Sequence, residues 1–378
     1  MSNFFICRNR VVIEGEDIGE FEGFTLDADW RTFGVTATLV LPMYALGAGG
    51  TTEGKASTRI RSKAIRDLIK VCAEIDVYCW YEGLPEVRVF HGYIERIEQG
   101  FPSKLYLRDG SFILRFGSMK QSWNGDVTLA EVIEKCIPVA NEAFNAARRN
   151  AGLTRSIKPL TYSLTGKNVQ AITNSFPFDN FAEGRSPFEV IQYLMREIIS
   201  IAGVSESNEV WMGLGVQDSV RPIIRLSTRY NVIQRDIIRE NGAFVDYDVQ
   251  VTYADKNGQM YTVTAASDQK VVSEQSGKLQ RGFGEQHKAF CLFQTQEKAQ
   301  DYAKSLLNSL KRERNKGTIT TLLYPKMQLF DHVNYDDTVF DEYDAQYDAQ
   351  YYVIGYKFTA NIKGFYQKID VTDRVFAI

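Results

Sequence analysis

The hydrophobic pattern of the chain changes its period twice between its two ends. In the first third, runs such as "FGVTATLVLP", "IDVYCWYEG" and "VRVFHGYIERIEQG" have the alternation and the composition of strands. From Thr128 the apolar residues recur at helical spacing, and strand-like segments return after residue 204. Tyrosine and phenylalanine, which favour extended structure, number 20 and 23. The pattern therefore predicts an α+β fold that is mainly β, with helices as a minority.

The first predicted helix begins at a capping box. Thr128 and Glu131 stand three residues apart at the start of an apolar stripe that runs over 129–147, which is the signature of a helix N-terminus. Pro138 lies inside the stripe and removes one backbone donor. We therefore expect this helix to be kinked or split at Pro138.

Two further helices are predicted downstream. Ser186, Pro187 and Glu189 give the second helix an N-cap, a proline at its first position and a capping-box acid. The third helix is predicted over 295–316, and basic residues crowd its end. Because the dipole of a helix favours positive charge there, these basic residues have a sufficient local explanation.

Turn residues divide the remaining strand-like segments. Asp109 and Gly110 separate two apolar runs in "SKLYLRDGSFILRF", which predicts a strand on each side. Asn257 and Gly258 lie between two alternating arms and predict a hairpin. Four strand-like segments follow residue 316, among them "LFDHVNYDD" and "QYYVIGYKFTA". They predict a second β region near the end of the sequence.

Charge and cysteine content disfavour several classes of protein. The formal net charge of the 378 residues is −3, without the excess of Lys and Arg that drives binding to nucleic acid phosphates. The 5 cysteines are widely spaced in apolar patterns, so we interpret them as reduced, packed thiols. The first residues lack the apolar core of a signal peptide. We therefore expect synthesis in the cytoplasm without Sec export.

Residues that could carry catalysis or hold a metal are few. The 3 histidines are His91, His287 and His332, and no nucleophile elbow or P-loop accompanies them. His287 and Cys291 are the nearest approach to a zinc pair, but a second pair is missing. Carboxylates are numerous, although spacing alone does not identify a glycosidase pair. We therefore predict no enzyme, no catalytic residue, no metal site and no cofactor.

A tandem repeat near the end, in "DDTVFDEYDAQYDAQYYVIGYKF", allows three interpretations: a metal cage, an aromatic platform for sugars or bases, or a loop on a scaffold. The calcium-loop pattern needs a glycine turn that this segment lacks. The favoured interpretation is an acidic connection between adjacent strands at 333–335 and 351–358. The candidate assembly contacts are Tyr343, Asp344, Tyr347, Asp348 and, in "EVWMGLGV", Trp211.

Segments across nearly the whole chain follow one another in a recognisable order. "DVTLAEVIEKC" and "SPFEVIQYLMREI" precede "WMGLGVQDSVRPIIRLS", and a charged helix, "KAQDYAKSLLNSLKRERNKG", precedes the last strands. The ending "YYVIGYKFTANIKGFYQKIDVTDRVFA" looks like a closing hairpin with Gly364 at its turn. This order resembles the baseplate hub proteins of contractile phage tails, the late control protein D group and most closely the Mu-type tail protein.

That resemblance implies two tube-like antiparallel β-barrel domains with an α-rich insertion lobe. The corresponding boundaries are 1–120 for the first tube-like domain, 121–204 for the helical lobe, 205–250 with 317–378 for the second tube-like domain, and 251–316 for a hairpin plus helix packed on the lobe.

The resemblance also implies a function. A homotrimer would form a ring of six similar barrels that adapts the sixfold tail tube to a trimeric spike in the virion tail baseplate. Its partners would be the tail tube protein, the spike protein and other baseplate proteins, while phage DNA would pass through the ring without specific binding. Two alternatives stay open: the hub of a related secretion or injection machine, and a tail-tip protein that degrades glycans or binds a receptor.

Overall fold

Strands dominate the protein, as the sequence predicts. The structure is a computed structural model that describes residues 6–42, 67–98, 100, 102–120, 123–162, 175–197, 201–213, 223–240, 246–254, 259–266, 284–291, 295–311, 314–323, 326–336, 349–361 and 364–373. The prediction of a mainly β, α+β fold is confirmed for these residues. None of the helices within these ranges is long and apolar enough to cross a membrane.

The first β region consists of consecutive antiparallel strands. They are β1 (Cys7–Ile13), β2 (Glu16–Gly19), β3 (Gly23–Asp29), β4 (Thr36–Leu41), β5 (Glu74–Tyr81), β6 (Val87–Glu98) and β7 (Ser103–Arg108). A 3-10 helix follows over Gly110–Arg115, so the prediction of a second strand after Asp109 is wrong. The carboxylate of Asp109 accepts hydrogen bonds from the backbone N of Val35 and of Ser111, at 2.9 and 3.1 Å. These bonds turn the chain back onto β4 and cap the short helix.

The middle of the chain is mixed. It contains β8 (Trp123–Thr128), α1 (Leu129–Asn150), β9 (Thr161–Tyr162), β10 (Ser175–Phe181), α2 (Pro187–Glu197), β11 (Ile201–Val204), β12 (Glu209–Gly213), β13 (Ile224–Ser227) and β14 (Val232–Glu240). The last part contains β15 (Asp246–Ala254), β16 (Met260–Ala266), β17 (Gly284–Cys291), α3 (Gln296–Lys311), β18 (Arg314–Leu322), β19 (His332–Asp336), β20 (Ala349–Asn361) and β21 (Gly364–Thr372).

One 13-stranded sheet joins the two predicted β regions. Its main path is β14-β18-β21-β20-β3-β4-β7-β6-β5-β1-β2, and β13 and β19 branch from it at β20. Strand β20 makes the connection, because its first part pairs with β19 and residues Gly355–Ala360 pair with Phe24–Asp29 of β3. The change of partner coincides with a register shift between Val353 and Gly355. Such a bulge bends a strand and increases its twist.

Both halves of this sheet curl around a core, although no ladder of described strands closes into a barrel. In the C-terminal half, β13 and β14 are not paired with each other, yet their side chains Leu226 and Ile237 enter one core cluster. In the N-terminal half, Tyr81 Oη donates to the carbonyl oxygen of Phe365 at 2.9 Å, with the ring centroids 5.6 Å apart. Two separate closed barrels are therefore not confirmed, and the domain boundaries stay predictions.

The helices pack on two different cores. Apolar residues of α1 and α2, together with the 3-10 helix, join the core of the first β region. Helix α3 instead packs on β15 and β16, where Val251, Val263 and Ala303 belong to a separate cluster. The pairing of β15 with β16 confirms the hairpin predicted around Asn257 and Gly258, although these two residues lie outside the described part of the chain.

Local capping signals prove accurate. Thr128 Oγ1 accepts from the backbone N of Glu131, and the Glu131 carboxylate accepts from the backbone N of Thr128, at 3.2 and 2.8 Å. Ser186 and Glu189 repeat the arrangement at the start of α2, at 3.3 and 2.8 Å. Helix α1 runs through Pro138 without a break. The helix is therefore not split at Pro138, because buried residues on both sides of the proline hold α1 against the core, while the kink stays a prediction.

The predicted end of the third helix is also wrong. Helix α3 ends at Lys311, and Arg314 and Lys316 belong to β18, which pairs with β14 on one side and with β21 on the other. The sequence over 312–316 carries the basic residues typical of a helix end. Two ladders of tertiary hydrogen bonds override that local preference, as they commonly do.

A buried ion pair ties α1 to the first β region. Arg148 Nη1 and Nη2 donate to the two carboxylate oxygens of Glu14 at 2.8 and 2.9 Å, and their side chains are 3% and 4% exposed. Arg148 also donates to the carbonyl oxygen of Cys72 at 2.6 Å, and Glu14 accepts from the backbone N of Glu74 at 2.7 Å. These extra bonds compensate for the water that both charges lose.

Replacing Arg148 with Met leaves Glu14 buried without its guanidinium. We expect the free energy of unfolding to fall by about 3–5 kcal/mol, because removing one partner strands the other charge in the core. The double variant Arg148→Met/Glu14→Gln should recover part of this loss. Urea titration followed by tryptophan fluorescence measures both.

Lys357→Met is the matched control, since Lys357 and Asp27 form an exposed pair at 3.9 Å. Its effect should stay below about 1 kcal/mol. A loss in Arg148→Met no larger than this control would contradict the structural role of the buried pair.

Candidate assembly site

Trp211 is the one predicted contact residue within the described ranges, and its environment is well defined. It lies half-buried in β12, opposite Gly203 of β11. Its indole ring meets the ring of Phe330 edge-on, with centroids 5.7 Å apart and an interplanar angle of 86°. A Cβ atom on Gly203 would lie 2.6 Å from the indole. Glycine at 203 is therefore what lets the indole lie flat across the β11–β12 hairpin.

A cavity of about 420 Å³ opens beside Trp211. It is bounded by β3, β6, the β11–β12 hairpin and the segment before β19. Its apolar lining includes Leu26, Val89 and Leu329, and its polar lining includes Arg88 and Glu206. The cavity thus lies where the first β region, the hairpin and the C-terminal segment meet.

An ion cluster at this junction is centred on Glu206, in the turn between β11 and β12. Lys326 Nζ donates to Glu206 Oε1, and Arg88 Nη2 lies 3.4 Å from Glu206 Oε2. Lys326 Nζ also donates to the carbonyl oxygen of Arg88 at 2.6 Å. The cluster therefore links three segments that are far apart in sequence.

The ionised form of Glu206 is favoured. Burial opposes ionisation of this carboxyl, but the charges and hydrogen bonds of Lys326 and Arg88 outweigh that effect and hold the pKa of Glu206 below its ordinary value. Arg88 has a second acid partner, because its Nη1 lies 3.4 Å from Asp76 Oδ1. Asp76 in turn lies 2.9 Å from His91 Nδ1. Two acids thus balance the cations around the cavity.

The serine hydroxyl groups that line the cavity stabilise the turn between β11 and β12. Ser205 Oγ accepts from the backbone N of Ser207 and of Glu209, at 3.3 and 3.2 Å, and lies 2.8 Å from Ser207 Oγ. These contacts fix the turn that presents Glu206. Among the described residues, the arrangement joins the hairpin, β6 and the segment before β19, and it leaves the half-buried indole beside charged side chains.

The other predicted contacts, Tyr343, Asp344, Tyr347 and Asp348, lie outside the described residues. The strands that flank them are described, and β19 pairs with β20 as predicted. Tyr351 is fully buried and Tyr352 is half-buried, which matches the alternation expected there.

The residues considered for metal binding or redox chemistry are dispersed. No group of three or more metal-ligating side chains occurs within the described ranges. Cys72, Cys79 and Cys136 are buried and free, which confirms the prediction of packed thiols for these three, while Cys7 is half-buried. Burial raises the pKa of the Cys72 thiol to about 11 and that of Cys136 to about 12. Both thiols therefore stay protonated near neutral pH.

Sequence reasoning missed the ion cluster altogether. Glu206 and Lys326 are separated by 120 residues, and Glu206 and Arg88 by 118. The one local signal is the polar stretch "VSESNE" between two strands, which indicates a turn and not its partners.

The Glu206 cluster should make stability depend on pH. Because the folded pKa of Glu206 lies below the unfolded value, its contribution is complete above the ordinary carboxyl range and is lost as pH falls through the lowered pKa. We expect Glu206→Gln to lower the free energy of unfolding by about 1 kcal/mol near neutral pH. The difference from wild type should shrink towards zero in acid.

Urea titrations across this pH range measure that difference, and Glu82→Gln in the exposed Arg8–Glu82 pair, at 3.5 Å, is the control. A wild-type advantage over Glu206→Gln that stays constant with pH would show that the ionised cluster does not stabilise the junction.

The chain is similar to known proteins in its three-dimensional structure, and the comparisons of its sequence find no match. No family model matches the chain, and no curated protein matches it.

Solved structures match almost its whole length. The tail protein from Neisseria meningitidis MC58 gives a TM-score of 0.58 at 14% identity, covering 97% of this chain and 96% of that chain. The 43 kDa tail protein of prophage MuSo2 from Shewanella oneidensis gives 0.52 at 12% identity, covering 96% of each chain. A chain of the Francisella PdpA-VgrG complex gives 0.52 at 8% identity, covering 97% of this chain and 58% of that one.

At such identities the likeness establishes the fold. The resemblance to phage tail proteins seen in the sequence is confirmed at that level, because this chain shares the fold of these two tail proteins over almost their full length.

Proposed function

We propose that the protein is a structural hub subunit of a phage-tail baseplate. Three copies would form a ring that joins the sixfold tail tube to a trimeric spike, and the assembly would lie in the baseplate of the virion tail. The observation that carries this proposal is the shared fold, which spans 97% of this chain and 96% of the Neisseria tail protein.

The geometry of the sheet supports a ring-forming subunit. Each chain contains two curled β regions joined side by side through β20, so three chains would supply six such regions. The two tube-like domains implied by the sequence would then be completed on assembly. A subunit of this kind is stiff, because a continuous ladder connects its two halves.

The proposed role is mechanical and needs no catalytic centre. The cavity beside Trp211 is built from turn-forming serines and charge-paired side chains. Its indole face and charged rim would contact the spike, the tail tube protein or another baseplate protein. DNA would pass through the ring without specific binding.

The oligomeric state tests the ring directly. Light scattering on a sizing column should give three times the chain mass of 43.0 kDa. Negative-stain images of the same peak should show an open ring with threefold symmetry. The same measurements are repeated on the wild-type chain mixed with excess spike protein, to detect a trimer that forms only with this partner. Arg148→Met is not used here, because a destabilised fold could itself prevent assembly.

A monomer at every concentration, with and without the spike protein, would contradict the hub. Hydrolysis of peptidoglycan by the purified chain would instead favour the tail-tip enzyme.

The acidic repeat would line the ring or its rim. We expect replacement of Asp336, Asp337, Asp341, Glu342, Asp344 and Asp348 by Asn or Gln to leave the trimer intact and to slow DNA ejection, because acidic walls repel phosphate. Ejection kinetics of phage particles carrying this variant measure the effect. Tyr343→Ser/Tyr347→Ser, which keeps the charge, is the control. An unchanged rate of ejection in the charge variant would contradict the proposal that these acidic residues face the lumen of the ring.

A second candidate is the hub of a related secretion or injection machine. The match to a chain of the Francisella PdpA-VgrG complex, at a TM-score of 0.52, favours it. Both candidates share the ring and differ in the machine around it. Genes for tape-measure and sheath proteins beside the gene of this chain would identify a phage tail.

A further inference from the structure

One end of the large sheet exposes apolar side chains. Among the described strands, β14 pairs on one side with β18 and has no partner on the other. Ile233 and Ile238 of β14 are 58% and 55% exposed, and Tyr230, in the turn before it, is 81% exposed. Edge strands of soluble proteins usually carry charges or prolines that discourage pairing. Strand β14 has 9 residues and carries Arg235 and Asp236 between these isoleucines, so its edge is mixed in composition. The exposed isoleucines and Tyr230 on an unpaired edge mark it as a candidate docking surface.

Two exposed arginines flank the same end, and Asp236 of β14 is an exposed acid beside them. Arg225 lies exposed in β13, and Arg229 lies exposed in the turn that leads to β14. We name this surface, defined by Arg225, Arg229, Tyr230, Ile233 and Ile238, the basic edge.

The opposite end of the sheet is acidic. Strand β2 pairs only with β1 among the described strands. Four acids of β2 and the turn after it are all exposed, and they define the acidic edge: Glu16, Asp17, Glu20 and Glu22. Asp17 has an ion partner, since its carboxylate lies 3.6 Å from Arg10.

We propose that the basic edge of one copy docks on the acidic edge of the next copy, so that the sheet continues from chain to chain around the ring. This inference rests on the proposed function, since it assigns the contact that would build the trimer. Arg225 and Arg229 face the exposed acids of β2 and its turn, and Ile233 and Ile238 leave water as the two edges approach.

Symmetry favours a second copy as the occupant. A closed ring needs a heterologous contact, in which two different surfaces of one chain fit each other. The basic and acidic edges are such a pair, because they are the two ends of one sheet and have opposite charge. An unpaired strand edge also selects another strand as its partner, since only a strand supplies a matching row of donors and acceptors.

Charge reversal with rescue tests the contact. We expect Arg225→Glu/Arg229→Glu, and separately Glu16→Arg/Glu20→Arg, each to raise the trimer dissociation constant about tenfold or more, because like charges then face each other. Combining the two sets in one chain restores opposite charge and should return the constant towards wild type. Sedimentation equilibrium over a concentration series measures all of them.

Arg96→Glu is the control, because Arg96 is an exposed arginine of β6, an interior strand of the sheet that pairs with β5 on one side and β7 on the other. It should leave the dissociation constant unchanged. Ile238→Asp adds a charge to the apolar part of the basic edge and should weaken the trimer without rescue by Glu16→Arg/Glu20→Arg.

The outcomes separate this inference from the proposed function. Reversal variants that stay trimeric and ring-shaped would overturn the edge contact and leave the hub in place. Weakening without rescue in the combined variant would also overturn the pairing of these two edges. A wild-type chain that is monomeric in all conditions would overturn both.

Discussion

The pairing of β20 with β3 is the constraint on which the rest of the structure depends. It joins a strand near the start of the sequence to one near its end, and it turns two β regions into one sheet. Loop-closure entropy makes such a long-range ladder costly to form. The 13 residues of β20 offset that cost, because the strand pairs with β21 along nearly its whole length and with β19 and β3 in turn.

The Arg148–Glu14 pair stabilises the end of this sheet that β1 and β2 form, because it links the turn between these strands to α1. Glu14 and Gly15 form the two-residue turn between β1 and β2, with φ of 50° and 83°. Positive φ is unfavourable for glutamate, and asparagine or glycine is usual at that place. The guanidinium of Arg148 and the backbone N of Glu74 hold the carboxylate in place, so a strained turn and a buried charge are stabilised by the same contacts.

What the sequence predicts well is local. Capping boxes need partners three residues apart, and both are found. The final hairpin is also found, with Gly364 at a φ of 130° that suits glycine at its turn. What it misses depends on distant partners. The segment after Asp109 forms a 3-10 helix because the backbone N of Val35 and of Ser111 donate to the Asp109 carboxylate. Helix α3 ends at Lys311 because Arg314 and the residues after it form β18, which pairs with β14 and β21.

The incomplete closure of the sheet connects the fold with assembly. Tyr81 and Phe365 approach through a side-chain hydrogen bond, and β13 and β14 share a core without sharing a ladder. A barrel closed within one chain would have no edge to offer a neighbour. A sheet that curls but stays open covers its core residues in the single chain, and it also leaves two strand edges that a neighbouring chain could pair with. In the proposed ring, this arrangement would let each chain fold alone and still assemble, because side chains close the core while the backbone edges stay open.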